Sequence, residues 1–168
     1  MSINHNVSKN EVFSVKACGI VIKNKKILLV NKKGTDYLTF LSGDVNFDEQ
    51  SQDAVIRAFK EKIGANVKAN RLMYIIENFY NSSDKRVHEY IFVHMMVDTR
   101  NEIKVTDDEV LLLGSDDLSY KWYDTEKMEE LNIKPDLFGG RLGILPVEPE
   151  HMVLYDDKKI VCKKGIMS

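Results

Sequence analysis

An α/β fold is what this sequence predicts, and three observations carry the reading. Val12 to Ile22 and Ile27 to Asn31 are rich in β-branched and aromatic residues, and they flank a turn at Lys23-Asn24-Lys25-Lys26, the pattern of a strand pair. Leu72 to Tyr80 and His88 to Val97, joined by Asn81 to Lys85, read as a second pair. Both of these runs are apolar on both alternating sets, so they are expected to be buried on both faces. Between the pairs, Val55, Phe59 and Ile63 recur every four residues and draw one apolar stripe along a helix.

Taken in order, residues 1 to 11 are rich in Asn, Ser and Lys, the composition of a frayed terminus or a short covering arm. Lys32, Lys33 and Gly34 follow the first pair as a basic loop, and Tyr37 to Leu41 makes a short strand leading into Gly43. Ser51 is placed to N-cap the helix, with Asp53 in its first turn. Gly64 ends it, because glycine adopts positive φ without steric cost. The polar face carries Asp53, Arg57 and Glu61 at successive i,i+4 spacings, which can pair along the helix.

Beyond the second pair, Arg100 to Gly114 is acidic around Val110-Leu111-Leu112-Leu113. Ser115 to Ser119 reads as loop and Tyr120 to Tyr123 as a short strand. Thr125 is expected to cap a helix running through Leu131, and Pro135 to open one more helical turn ended by Gly139-Gly140. Met152 to Tyr155 and Ile160 to Cys162 flank Asp156-Asp157 as a terminal hairpin. Without repeat, linker or low-complexity segment, the 168 residues read as one domain.

The chain is 43% hydrophobic and 30% charged, the balance of a soluble globular protein. A net charge of -2 gives no footprint for general nucleic-acid binding, so a nucleotide ligand would have to be held locally. Cys18 and Cys162 have neither metal-type spacing nor a disulfide framework, which points to a reducing, cytoplasmic setting. No apolar run marks a signal peptide or reaches membrane-spanning length.

The stretch from Gly43 to Ala65 carries the most chemistry. Gly43, Glu49, Arg57, Phe59, Glu61, Gly64 and Ala65 keep the spacing of a Nudix box without insertion or deletion, and the region resembles the Nudix hydrolase family. Trp122, Glu130-Leu131 and Pro135 are similar to the family's later segment, so the resemblance covers about residues 12 to 140. It implies an α/β/α sandwich around a mixed, curved β-sheet, with residues 1–11 as an N-terminal arm and 141–168 as a C-terminal extension.

The departures fall where the family's chemistry would be. The family's glutamates corresponding to positions 58, 61 and 62 supply metal ligands or a general base, on one arc of the helix. This chain has Ala58, Glu61 and Lys62. An ammonium at ~6 Å from a divalent ion would repel it by roughly 5 kcal/mol at an effective dielectric of about 20, before screening. In the loop ahead of the helix, Phe40-Leu41-Ser42-Gly43 replaces Leu-Pro-Gly-Gly, and Asn46 and Asp48 replace a glutamate and a glycine.

By this resemblance Glu49 and Arg57 brace the loop against the helix, between Gly43 and Gly64, and Glu61 is both the catalytic and the metal-ligating carboxylate, for Mg²⁺ or Mn²⁺. The bland readings are a surface ion pair for the first two and a charged stripe for the third. Lys62 has three readings: a solvated lysine, a substrate-binding group that replaces metal charge at a phosphate, or an internal partner of Glu61 or Asp48. Asp44, Asp48, Glu77, Glu89, Glu109, Asp116 and Asp117 are candidates for a carboxylate outside the box frame. His88 and His94 share a strand face with Tyr90 and Phe92 between them, and read as structural histidines or as proton-transfer groups. Phe79, Tyr80, Tyr90 and Trp122 read as core aromatics or as a base-stacking surface.

The function implied is hydrolysis of the pyrophosphate in a nucleoside diphosphate linked to another group, weak or narrow because two box glutamates are missing. The alternative is a non-catalytic module that binds a nucleotide or another protein. The partner expected is a nucleotide-type small molecule, with no membrane; a homodimer is left open.

Overall fold

The structure is a computed structural model that describes residues 1–138, 145–156 and 158–160. Its strands are β1 (Asn4–Ser8), β2 (Glu11–Ile20), β3 (Ile22–Lys23), β4 (Lys26–Lys32), β5 (Leu38–Thr39) and β6 (Leu41–Asp44) before the helix α1 (Ser51–Ile63). After it come β7 (Lys68–Ser82), β8 (Lys85–Val97), β9 (Val110–Leu111) and β10 (Leu118–Asp124), then a 3-10 segment (Thr125–Glu130), β11 (Glu150–Tyr155) and β12 (Lys158–Ile160). Among the described residues one sheet runs β1-β2-β8-β7-β11-β12 with β6 also on β2. The second runs β3-β4-β10-β9 with β5 on β4. Parallel pairings of β2 with β8 and of β7 with β11 make the larger sheet mixed.

Alternation along the strands sorts side chains into two cores. Ala17, Leu28, Val30 and Leu41 pack with Val55 and Phe59 on the α1 side, together with Trp122. Cys18, Ile20, Ile27, Leu29, Ile76, Ile91 and Val93 pack on the other side with Met128, Ile133 and Leu137. The sandwich therefore has α1 as one outer layer. The opposite layer, where the sequence predicts a second helix capped by Thr125, holds the short 3-10 segment and the irregular chain after it. Its N-cap is Asp124, whose carboxylate accepts from the Glu126 N–H at 2.9 Å, while the Thr125 hydroxyl donates to the Lys25 carbonyl. A tertiary partner thus took the hydroxyl that would have capped a helix.

Three further expectations are corrected. Pro135 opens no helical turn: the chain bends there, the Lys134-Pro135 peptide is cis, and Gly139 and Gly140 lie outside the described residues. Of the two readings of residues 1 to 11, a frayed terminus or a short covering arm, the frayed one is set aside, since β1 pairs antiparallel with β2, the Ile3 N–H donates to the Val45 carbonyl and the Phe47 N–H to the Met1 carbonyl. The second pair is buried on both faces only in part: Glu89, Ile91 and Val93 are buried on one face of β8, whereas on the other His94 and Met96 are buried but His88, Tyr90 and Phe92 are half-buried. One 13-residue helix does not reach across that face; Phe79 stacks there on His88 and Tyr155, with its ring centroid 4.2 Å from that of His88, and Phe13 meets His88 edge-on. The terminal hairpin is present as β11 and β12, with Asp157 and Cys162 outside the described residues.

Candidate functional site

The site is organised by the approach of β6 to α1. A Cβ on Gly43 would lie 2.9 Å from the Cβ of fully buried Ala58, so the glycine lets the strand run against the helix. Gly64 ends α1 at φ 80°, its N–H bonded to the Lys60 and Phe59 carbonyls. The helix N-cap is Gln50 and not Ser51, and it makes no side-chain cap. Ser51 lies one residue inside the helix, its hydroxyl 2.9 Å from His94 Nε2. Asp48, where the family's box has glycine, takes φ 59°, a left-handed conformation that aspartate tolerates better than most residues.

Between these points Arg57 ties the loop to the helix. Its Nε and Nη2 donate to the two Glu49 oxygens at 2.8 and 3.0 Å, Nη2 also donates to the Asp44 carbonyl at 2.7 Å, and Nη1 reaches Glu61 at 3.2 Å. The Asn46 N–H completes Glu49 at 2.8 Å. The hydrogen bonds from Arg57 hold the Glu49 carboxyl below the usual carboxylate range. Asp53 is exposed.

Lys62 donates to the Ser42 carbonyl, a partner outside all three readings of the sequence. Burial pulls its ammonium below the ordinary lysine value, opposed by the carboxylates of Asp44 and Glu61. The arc that should carry three carboxylates therefore holds a buried methyl at Ala58, a carboxylate engaged by Arg57 at Glu61, and a cation at Lys62. Among the described residues no three His, Cys, Asp or Glu side chains come together as a metal site. These donors do not fit a divalent ion.

Ser42 also belongs to the wall of a cavity of about 530 Å³ on the face of the larger sheet away from α1. Lys16, Asn78, Tyr80 and Glu89 reach it from β2, β7 and β8, Tyr37 and Phe40 line it, and Lys134 and Pro135 border it. Glu89 is 4% exposed, accepts from Asn78 Nδ2 at 3.1 Å and lies 3.3 Å from Lys16 Nζ, an ion pair without good hydrogen-bond geometry. Burial opposes the Lys16 charge, but its anionic neighbours, Glu89 first, raise its pKa on balance. Burial pushes the Cys18 thiol in the same wall up to about 12, so it is inert.

The other carboxylates do not converge on the box. Glu77 accepts from Tyr90 at 3.1 Å and meets His151 at 2.9 Å. Glu109, Asp116 and Asp117 border a second cavity of about 500 Å³ near Lys33. Of the four aromatics considered for base stacking, Tyr80 alone lines the larger cavity; Trp122 is core and donates to the Lys104 carbonyl at 3.0 Å. Sequence reasoning missed Lys16, Tyr37, Phe40 and Asn78. The one visible signal was Lys16, the single charge in the strand read from Val12 to Ile22.

The NUDIX domain family profile matches residues 13–144, and the chain belongs to that family. Among solved structures it is similar to a MutT protein from Bacillus halodurans at 14% identity and a TM-score of 0.60, covering 88% of this chain and 94% of that one. A NUDIX hydrolase from Nitrosomonas europaea matches at 14% identity and a TM-score of 0.54, over 84% of this chain and 78% of that one. An ADP-ribose pyrophosphatase from Streptococcus suis matches at 13% identity and 0.50, over 82% and 98%. No curated protein matches the sequence. Among the described residues, no helix is long and apolar enough to cross a membrane.

Proposed function

We propose that this NUDIX-family protein binds a nucleoside diphosphate linked to a second group, and holds it without the metal-assisted cleavage of pyrophosphate. The observation that carries this reading is the meeting of cavity and box at Ser42, which is part of the cavity wall and whose carbonyl takes the Lys62 ammonium. Aromatic walls at Tyr37, Phe40 and Tyr80 suit a base and sugar, and Lys16 in the wall, with Lys62 held on the Ser42 carbonyl beside it, suits phosphate oxygens. The named activity of the ADP-ribose pyrophosphatase neighbour supports a ligand of this class. Attack by a metal-activated water needs carboxylates to hold the ion, and positions 58 and 62 supply none.

A second reading, a weak or narrow pyrophosphohydrolase using Mg²⁺ or Mn²⁺ on Glu61, is favoured by the intact Glu49-Arg57-Glu61 brace. The test is a panel of ADP-ribose, dinucleoside polyphosphates and nucleoside triphosphates, followed for thermal stabilisation and for turnover, beside Glu61→Gln. At least one member is expected to raise Tm, with no turnover above the buffer rate. Metal-dependent cleavage that disappears in Glu61→Gln would replace this proposal with the second reading.

A further inference from the structure

The last turn of α1 carries a cation at a position where this family carries a metal-binding carboxylate, and the structure gives that cation a defined place. Lys62 does not extend into solvent: it is half-buried and its Nζ is fixed on the Ser42 carbonyl of β6. An ammonium has three N–H donors, and that carbonyl takes one. Ser42 pairs in register with Cys18, and Gly43 and Asp44 with Ala17 and Lys16, so the Lys16 side chain leaves β2 two residues from the strand position that faces Ser42.

The two ammoniums are close enough for Lys16 to lower the Lys62 pKa by repulsion, and Arg57 adds to that effect. Cations gathered around β6, with Lys16 in the cavity wall and Lys62 and Arg57 reaching the strand from α1, are costly unless anions lie among them. Glu49 and Glu61 answer Arg57, and Glu89 answers Lys16. Lys62 has a neutral carbonyl as its hydrogen-bond partner and feels Asp44 and Glu61 only through space. The ammonium's other two N–H donors have no hydrogen-bond acceptor among the described residues, and they are free to meet a ligand anion.

We propose that the Lys62 ammonium is a built-in replacement for the divalent ion: with Lys16 it binds the pyrophosphate oxygens of the ligand directly, and the site takes up no Mg²⁺. The proposal deepens the nucleotide-binding reading and rests on it. It also explains why the frame of the box persists. Arg57 and Glu49 still set the distance between β6 and α1, and that distance is what brings the Lys62 side chain to Ser42.

The test titrates the full chain with ADP and ADP-ribose in EDTA and in Mg²⁺, and separately with Mn²⁺ alone followed by electron paramagnetic resonance. The variants are Lys62→Glu and the neutral Lys62→Met. Position 58 is left alone, because a glutamate there would displace Gly43 from fully buried Ala58. Circular dichroism checks that each variant folds. Wild-type protein is expected to bind ADP or ADP-ribose equally in EDTA and Mg²⁺ and to leave Mn²⁺ free. Lys62→Met should weaken nucleotide by about tenfold or more in both buffers, the scale of a lost charge-assisted contact. Lys62→Glu should lose nucleotide in EDTA, recover part of it in Mg²⁺, and take up Mn²⁺.

Wild-type binding that requires Mg²⁺, or Mn²⁺ uptake by the wild type that Lys62→Glu leaves unchanged, overturns the proposal while the nucleotide-binding reading stands. Failure of every nucleotide in both buffers sinks that reading instead, and the Mn²⁺ comparison still decides whether Lys62 occupies the ion's place.

Discussion

His94 is 5% exposed, and its Nε2 meets the hydroxyl of Ser51, the first residue of α1. Burial lowers its pKa below the ordinary histidine value of 6.5, so the folded protein holds it neutral to a lower pH than the unfolded chain does. The unfolded state then binds more protons just below that value. Stability contributed by neutral His94 is full above about pH 6.5 and is lost as the pH falls from there through the folded pKa. The positive end of α1 adds to the cost of an imidazolium at that position. Urea midpoints at about pH 7.5 and pH 5.5 should differ more for the wild type than for His94→Gln; equal differences would show that another group titrates. The pairing of His94 with Ser51 was not legible in the sequence, where Ser51 read as a cap, because 43 residues separate two side chains that only the sheet brings together.

At the scale of elements, the contact between β6 and α1 decides the shape of the box. Gly43→Ala would put a methyl 2.9 Å from the Ala58 methyl, and both atoms are fixed by backbone, so neither can rotate away. Strand and helix must separate, at a cost of about 1–3 kcal/mol. A urea midpoint lowered in proportion to that loss, with the slope unchanged, is the expected result. An unchanged midpoint would mean that β6 shifts freely over the helix. The end of α1 was readable because a glycine stop is local backbone chemistry. The expected helix after Trp122 was not, because Thr125 spends its hydroxyl on Lys25, a hundred residues earlier.

Across the whole molecule, the N-terminal residues and the box share one edge of β2. β1 pairs with its first half and β6 with its second, and the Ile3 N–H donates to the Val45 carbonyl at 2.7 Å. The Phe47 N–H donates to the Met1 carbonyl at 3.0 Å, the Val15 N–H to Ile3 at 2.9 Å, and the Val45 N–H to Val15 at 3.0 Å. Removing residues 1–9 should therefore expose the Phe47 and Val15 amides to hydrogen exchange and leave Val45 protected. Loss of protection at all three would show that the arm holds the entire box loop in place.

The α/β class, both central strand pairs, the helix with its glycine stop, and the box register from Gly43 to Gly64 were legible in the order of residues alone. Each of these is written in neighbouring residues, through strand alternation, helical periodicity or the freedom of a glycine backbone. That order also showed that two of three carboxylates are replaced at positions 58 and 62. What stands in their place came from the packing of the folded chain. The Lys62 partner is a backbone carbonyl twenty residues away, and the cavity beside it joins Lys16, Tyr37, Asn78 and Glu89 from four separate parts of the chain. Backbone carbonyls carry no mark in a sequence, and a pocket belongs to the packing of strands that are distant along the chain.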